Sequence, residues 1–485
     1  MRKAIERRGS LLALAGVLSL PLACGSSPKN SGFGGNGDSD GGSGGHNPSS
    51  GGKGGSSSGG KGGGSDPGGS GGSEGGSGGS GTGGMLPPVP TPTGHQFGAH
   101  PMKYPAGTIK PTGDQKDLDD AVRAQYYKWR DKYLKAECGG YYVLTNGGAG
   151  AGAETFVTVS EGHGYGMVIA AMMAGTEPKA QEIFDGMYAL MVKYPSVIDK
   201  DLMSWGIDKG CGMVKDGDSA TDGDEDMAFA LLLADKQWGS AGKVNYLAEA
   251  KRVITAIGKS EINPMTKLPL LGDWSGPTEP VFHFITRPSD FMPDHYRAYG
   301  KATDAATWMA SVSAVYKLVD YTQTNFSPMT GLIPDFIKDT NTPMPAVVPV
   351  SFANNPMYLG EELKTDYDYN SCRVPWHLGT DYVASGDAAV KARLAKINTF
   401  IRMKTGNDPS KIVDGYSLAG ISPASAGPNP CFTSGFGVAA IVDAANQAWL
   451  DGIWDDLAGG DVEDYYGDTI RLIAMMVISG NWWTP

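Results

Sequence analysis

Acidic side chains stand at the start of several apolar segments of this 485-residue chain. Glu161, Asp222, Asp224, Asp290 and Asp468 each lead directly into a run rich in Ala, Gly and aliphatic residues. A carboxylate at this point caps a helix well, because it accepts hydrogen bonds from the free amides of the first turn and suits the helix dipole. Capping alone is a sufficient interpretation for Asp290 and Asp468.

Glu161 has a setting that capping does not explain. It is followed by Gly162, His163, Gly164 and Tyr165, and glycine lets the backbone approach a ligand closely. Glu is also a weaker N-cap residue than Asp. A Glu that is partly removed from water has a raised pKa and can donate a proton near neutral pH. We therefore predict that Glu161 is a catalytic acid.

Four carboxylates occupy five positions between Asp222 and Asp226, just before another apolar segment. A calcium site is one interpretation of this density of oxygen ligands. The run lacks the following Gly and the later Glu of an EF-hand loop, however. We predict no metal site and no cofactor for this chain.

Six segments share one layout, in which polar or turn residues lead into an apolar stretch. A helix that is apolar on all sides must be buried, whereas the amphipathic segments 118–134 and 246–257 can lie at the surface. Six buried helices that alternate with exposed ones predict an all-α (α/α)6 barrel, with six inner and six outer helices and a cleft where the inner N-termini meet. An irregular helical protein is the alternative. The six segments begin near residues 160, 221, 288, 370, 431 and 465.

The N-terminal fifth of the chain is not predicted to fold. Residues 1–24 combine a basic start with an apolar run, as in a secretory signal, and the sequence before Cys24 is similar to a lipoprotein cleavage site. Between residues 25 and 84, 29 positions are Gly and 15 are Ser, which is typical of a flexible linker. We predict a signal at 1–24, a linker at 25–94 and one folded domain at 95–485.

Charge and cysteine content indicate the class of protein. Of the formal net charge of −12, the first 24 residues carry +3 and the linker −1, which leaves −14 on the folded domain. Such an acidic domain lacks the basic face that nucleic acid requires. An exported domain has an oxidising environment, so its four cysteines can form two disulfides, in any of three connectivities. They are Cys138, Cys211, Cys372 and Cys431.

The run from Ala220 to Trp238 resembles the signature of glycoside hydrolase family 8 over its whole length. Further segments that resemble the family follow its order along the chain, so the resemblance covers about residues 95–485. It implies an (α/α)6 barrel and an inverting endo-β-1,4-glycanase. These segments are 158–166, 202–205, 287–291, 413–416, 465–468 and 479–481.

The resemblance also implies roles for individual residues. Glu161 matches the general acid, and Asp222 matches the aspartate that binds and distorts the sugar beside the scissile bond. Aromatic rings of such a cleft stack on the apolar faces of sugars. The predicted substrate-binding residues are Trp205, Asp290, Tyr369, Arg373, Trp376 and Tyr465.

One position departs from the family pattern. Much of the family has Tyr-Asp-x-x-Arg around the general base, whereas this chain has Asn370, which cannot accept a proton from water. A family branch that contains chitosanases resembles this arrangement, with the base supplied by the preceding loop. We therefore predict Glu361 or Glu362 as the base, followed by Asp368.

Together these features predict an exported, monomeric, inverting endo-glycosidase. It would hydrolyse internal β-1,4 bonds of β-glucan, cellulose or chitosan, and it would be either secreted or held at the outer membrane by a lipid on Cys24. The alternative is a carbohydrate-binding surface lipoprotein that has lost catalysis, which Asn370 would explain.

Overall fold

The computed structural model of the chain describes residues 94–145, 156–348, 366–462 and 464–485. The predicted signal and nearly all of the predicted linker lie outside this part of the chain. Within it there are twelve α-helices, with six short β-strands between them. The helices are α1 Gln115–Tyr133, α2 Ser160–Met172, α3 Ala180–Lys193, α4 Thr221–Trp238, α5 Tyr246–Ser260, α6 Pro293–Ala302, α7 Ala305–Asn325, α8 Val374–Ser385, α9 Ala388–Thr405, α10 Pro430–Ala440, α11 Gln447–Gly459 and α12 Tyr465–Ile478.

The even-numbered helices are buried on nearly every side. All residues of α2 and α12 are buried, as are all residues of α10 from Cys431 onward. Each even-numbered helix contacts the next one, and α12 contacts α2, so the six form a closed ring. The odd-numbered helices pack around them. The helix-rich fold predicted from the sequence is confirmed.

The outer helices bury only one face, as α1 shows. Its buried apolar residues are spaced three or four apart, which places them on one side of a helix. Each contributes roughly 1.5–3 kcal/mol when removed from water. The charged residues between them stay at least partly exposed, except Asp119, which is buried. The predicted amphipathic segment 118–134 corresponds closely to this helix. Its buried apolar residues are Leu118, Val122, Tyr126, Trp129 and Tyr133.

Two glycines let α2 and α4 approach each other at their N-terminal ends. A Cβ atom on Gly164 would lie 2.8 Å from the carbonyl oxygen of Gly223, and one on Gly223 would lie 2.5 Å from the carbonyl carbon of Ser160. Both distances are shorter than real Cβ contacts, so no other residue fits without a backbone shift. These glycines bring the helix ends that carry Glu161 and Asp222 together.

A short antiparallel pair of strands lies next to the start of the first buried helix. Strand β3, Phe156–Val159, pairs with β4, Gly206–Asp208, with an irregularity between Phe156 and Thr158. The other strands, β1 Leu134–Lys135 with β2 Tyr142–Val143 and β5 Ile337–Lys338 with β6 Ala346–Val347, form two further pairs. Directly after β3, Ser160 N–H donates to the carbonyl of Trp205 at 2.8 Å. The strand pair therefore fixes where α2 begins.

Two disulfides join distant parts of the chain. The structure pairs Cys138 with Cys211 and Cys372 with Cys431, which selects one of the three connectivities left open by the sequence. The second bond ties the turn before α8 to the first residues of α10. Within the described ranges, no helix is both long enough and apolar enough to span a membrane.

Candidate active site

A buried arginine lies at the centre of the residues that the sequence singled out. Arg373 is fully buried, and its Nη1 donates to Oε2 of Glu161 at 2.8 Å and to Oδ2 of Asp222 at 3.0 Å. The same nitrogen lies 3.1 Å from the Tyr165 hydroxyl. Its second nitrogen, Nη2, donates to Ser289 Oγ at 2.9 Å. One guanidinium thus holds two carboxylates in fixed positions relative to each other.

Helix N-termini place these groups. Glu161 and Asp222 are the second residues of α2 and α4, and Tyr465 is the first residue of α12. Arg373 ends the 3-10 turn Ser371–Arg373, which continues into α8. Four of the six ring helices therefore begin at the same site. Their positive dipole ends favour the carboxylates gathered there.

Asp222 has two guanidinium partners. Besides Arg373, Nη2 of Arg287 lies 3.1 Å from its Oδ2. Burial raises the pKa of Asp222, but the attraction of Arg287 and then of Arg373 outweighs it, so the pKa is below its usual value. The Asp222 carboxylate is therefore ionised at neutral pH.

Glu161 has the opposite shift. Burial is the largest cause and raises its pKa to about 7; Arg373 opposes this, and the neighbouring charge on Asp222 adds to it. The Tyr465 hydroxyl donates to the other carboxyl oxygen, Oε1. Two carboxyl groups with pKa values moved apart are the usual arrangement for an acid and a stabilising anion in one site. Glu161 is therefore mostly protonated below a pH of about 7.

Arg287 was not predicted, although it lies in one of the segments that resemble the family. Its Nε donates to both oxygens of Asp290, at 2.9 and 3.0 Å. Asp290 is fully buried, and its pKa rises to about 6 because of burial, which Arg287 opposes. The predicted substrate-binding residue Asp290 thus holds Arg287 against Asp222. It acts behind the site.

The predicted aromatic residues lie at different depths. Trp205 is 8% exposed and meets Phe156 edge to face. Tyr369 is also 8% exposed, and its hydroxyl donates to Asp414 Oδ2 at 2.8 Å. Trp376 is 2% exposed and packs against the Tyr165 ring, so little of its face is open to a sugar. Trp205 and Tyr369 are the better placed of the three.

The acidic run after Asp222 separates along the helix because successive helical residues point in different directions. Asp224 accepts from Met203 N–H, and Glu225 accepts from a tyrosine hydroxyl. Asp226 Oδ1 lies 3.1 Å from His295 Nε2. In the part of the chain that the structure describes, no group of three or more His, Cys, Asp or Glu side chains is arranged to hold a metal ion.

The candidate bases fall in two places. Glu361 and Glu362 lie outside the described residues. Asp368 is described and 8% exposed, and its Oδ1 accepts from the N–H of Tyr369 at 2.8 Å. A further carboxylate, Asp335, lies beside this turn; no sequence pattern pointed to it. Burial and the charge of Asp368 raise the Asp335 pKa to about 6.

The chain is similar to known proteins over most of its length. Residues 128–480 match the family model of glycosyl hydrolases family 8. The chain is 40% identical to a β-glucanase of Niallia circulans over 386 residues, which cover 79% of this chain and 90% of that protein. It is 38% identical to an endoglucanase of Bacillus sp. strain KSM-330, over 78% of this chain and 80% of that protein.

A solved structure extends the comparison to three dimensions. The β-1,3-1,4-glucanase of Paenibacillus sp. X4 superposes with a TM-score of 0.73 and 39% identity, and the match covers 82% of this chain and all of that one. The family match falls inside the predicted folded domain. The chain therefore belongs to glycoside hydrolase family 8, and it is an inverting, endo-acting glycoside hydrolase.

Proposed function

We propose that the enzyme hydrolyses internal bonds of mixed-linkage β-1,3-1,4-glucan. The observation that carries the chemistry is that Arg373 Nη1 bridges Glu161, whose pKa is raised, and Asp222, whose pKa is lowered. The substrate is supported by the 39% identity to a β-1,3-1,4-glucanase over that protein's full length. The names of the relatives favour a β-glucan over chitosan.

The proposed reaction follows from these protonation states. Glu161 donates its proton to the glycosidic oxygen as the bond from that oxygen to the anomeric carbon breaks. Positive charge develops on the sugar ring, and the ionised Asp222 stabilises it and binds the ring. A water molecule attacks the anomeric carbon from the opposite face and gives its proton to a base. The configuration at that carbon is inverted.

For the base we propose Glu361 or Glu362. Inverting enzymes keep their two carboxyl groups roughly 6.5–9.5 Å apart so that a water fits between the base and the sugar. Asn370 holds the position of the base in other members and cannot take the proton. Asp368 is the next candidate. Exchanging each of the three for its amide separates them, because only the true base is needed for turnover.

We also propose that the fold is an (α/α)6 barrel. The closed ring of even-numbered helices and the outer position of the odd-numbered helices support this architecture. It explains why residues up to 304 positions apart, Glu161 and Tyr465, meet at one end. Four of the inner helices, α2, α4, α8 and α12, begin at the site.

The proposed setting is extracellular. Two disulfides suit an oxidising compartment, and the N-terminal sequence is similar to a lipoprotein signal. We propose export as a monomer, with Cys24 lipidated or with release into the medium. Metabolic labelling with a fatty acid, compared between wild type and Cys24→Ala, tests the anchor. Unchanged labelling of the variant contradicts it.

The test of the activity compares E161Q with E177Q on barley mixed-linkage glucan, carboxymethylcellulose and chitosan. Glu177 is a matched control because it too is buried and accepts from a tyrosine, Tyr126, and an arginine, Arg130. Removing a general acid costs about 10²–10⁴-fold in rate, so E161Q should lose release of reducing ends while E177Q keeps it.

Three other outcomes of these assays would change the conclusion. Full activity of E161Q contradicts the proposed role of Glu161. Wild-type protein that binds these polymers without releasing reducing ends supports the alternative of a carbohydrate-binding protein, which Asn370 favours. Faster hydrolysis of chitosan than of mixed-linkage glucan contradicts the proposed substrate.

A further inference from the structure

Asp335 contacts the turn that carries the central arginine. It lies in the loop between α7 and β5 and is 3% exposed. Its Oδ1 accepts from the backbone N–H of Ser371 at 2.8 Å, from the Ser371 hydroxyl at 2.7 Å and from the N–H of Asp368 at 3.2 Å. The carboxylate therefore holds the first residues of the 3-10 turn Ser371–Arg373.

The second oxygen of Asp335 fixes a side-chain amide. Oδ2 accepts from Nδ2 of Asn370 at 3.2 Å. An ionised carboxylate only accepts hydrogen bonds, so the Asn370 amide must direct its NH₂ group towards Asp335. Its carbonyl oxygen then faces Arg373, whose Nη2 lies 3.4 Å away. The negative charge of Asp335 thus determines the orientation of the Asn370 amide.

These contacts form a continuous series of hydrogen bonds, from Asp335 through Asn370 to Arg373 and from there to Glu161 and Asp222. We propose that Asp335 is a positioning residue for hydrolysis, which acts through Asn370 and Ser371 to hold the Arg373 guanidinium between Glu161 and Asp222. The inference rests on the proposed role of Glu161. Asp335 itself does not touch the reacting atoms.

A purely structural role and a positioning role of Asp335 predict different effects when donor and acceptor are exchanged in its contact with Asn370. In D335N, the new amide still accepts from Ser371, but its NH₂ group faces the NH₂ group of Asn370. Asn370 then has to rotate, and it presents a donor to the guanidinium of Arg373. In D335N/N370D the new amide at position 335 donates to the new carboxylate at position 370, whose other oxygen accepts from Arg373. The original polarity is restored.

The experiment measures kcat and KM on mixed-linkage glucan for D335N, N370D and the double variant. Misplacement of a catalytic group by about 1 Å costs roughly a hundredfold in rate, so D335N should lower kcat by about tenfold to a hundredfold, with KM within about threefold of wild type. N370D should give no gain in the wild-type background but at least about a tenfold gain in kcat in the D335N background.

Each contrary result has a definite reading. The inference is overturned if D335N keeps wild-type kcat, or if N370D raises kcat by the same factor in both backgrounds, since a new base at position 370 would do that without Asp335. If D335N does not fold, Asn370→Ala takes its place. This variant removes the amide but keeps the Ser371 contacts, and a wild-type kcat for it also overturns the inference.

Two variants measured in parallel distinguish the positioning role of Asp335 from a general loss of stability and from a failure of the proposed function. D381N is the control for loss of a buried carboxylate, because Asp381 is fully buried and pairs with Arg297 at 2.6 Å away from the site; it should lose stability but keep kcat. E161Q is assayed alongside. Full activity of E161Q defeats the proposed function, whereas an inactive E161Q with a wild-type D335N defeats only the role of Asp335.

Discussion

Glu161 and Asp222 show how charge placement gives two similar groups different functions. Both are the second residue of a buried helix, and both accept from Arg373. Asp222 has Arg287 as an additional cation, and its pKa is lowered; Glu161 has a tyrosine hydroxyl instead, and its pKa is raised by burial. The difference lies in neighbours that are distant in sequence.

The sequence therefore predicted the carboxylates of the site more successfully than it predicted the residues that hold them in place. The glycine-rich setting of Glu161 and the family-like run at Asp222 are local patterns, and both residues meet at the site. Asp335 has no local signal. It becomes relevant only because the fold brings it against Ser371, 36 residues later. Trp376 has a suitable side chain, but the ring packs inward.

The raised pKa of Glu161 predicts the alkaline side of the pH profile. A general acid works only when protonated, so kcat/KM should fall above a pH of about 7. The Tyr465 hydroxyl lowers this pKa by donating to the carboxyl group. We expect Y465F to move the alkaline limb to higher pH, as measured by initial rates across buffers.

The matched control is Y126F, which removes the same kind of hydroxyl from Glu177. Its alkaline limb should coincide with that of wild type. A limb that moves to lower pH in Y465F would show that the hydroxyl stabilises the protonated acid, contrary to this account.

At the scale of the helices, the apolar patterns were sufficient to predict where several of the buried helices begin. The polar-to-apolar transitions near residues 160, 221 and 465 coincide with the starts of α2, α4 and α12. Near residue 288 the structure instead has a 3-10 turn, Pro288–Asp290, and α6 begins at Pro293. Pro293 separates the turn from the helix, because a proline disfavours the helical conformation of the residue before it, and Met292 is non-helical at φ −114° and ψ 66°.

The close contact of α2 with α4 predicts that Gly223 cannot be replaced. A Cβ atom at this position would meet the backbone of Ser160 at 2.5 Å, so G223A must push the two helix ends apart. Overpacking of this kind costs about 1–3 kcal/mol in the free energy of unfolding. Because Glu161 follows Ser160, kcat should also fall.

Gly258 provides the control within α5. Its Cβ would lie 3.6 Å from Trp308, an ordinary contact, so G258A should leave kcat unchanged and raise stability by up to about 1 kcal/mol. Thermal unfolding and kcat, measured for G223A and G258A, test this prediction. Equal stability of G223A and G258A would show that the helices adjust freely, against this expectation.

For the molecule as a whole, the two ends of the helix ring differ in function. One end carries the site, and the other binds the first described residues of the chain. The site lies at the N-termini of α2, α4 and α12. At their C-termini, the first described residues of the chain are fastened: Phe97 N–H donates to Ala174, and Gln237 Nε2 donates to the carbonyl of His95. The segment 479–481, which resembles the family, belongs to this end. Its role could not be derived from sequence, because its partners lie more than 300 residues away.

Asn481 joins the C-terminal segment to residues near the start of the folded domain, and its replacement should lower stability without lowering catalysis. Its Oδ1 accepts from Gly98 N–H at 3.0 Å, and its Nδ2 donates to Asp119 Oδ1 at 2.8 Å. Asn481→Ala removes this acceptor from the half-buried Gly98 N–H and this donor from the buried Asp119 carboxyl, so the free energy of unfolding should fall by roughly 1–3 kcal/mol.

The thirteen residues of α2 separate this end from Glu161 by about 20 Å, so kcat of the folded variant should equal that of wild type. Asn325→Ala, which removes one exposed hydrogen bond to Tyr321, is the control and should change stability by no more than about 0.5 kcal/mol. Denaturant unfolding together with kcat at low temperature distinguishes the outcomes. A lowered kcat in fully folded Asn481→Ala would contradict this prediction. It would mean that strain at the C-terminal ends of the ring helices reaches the site along the helices.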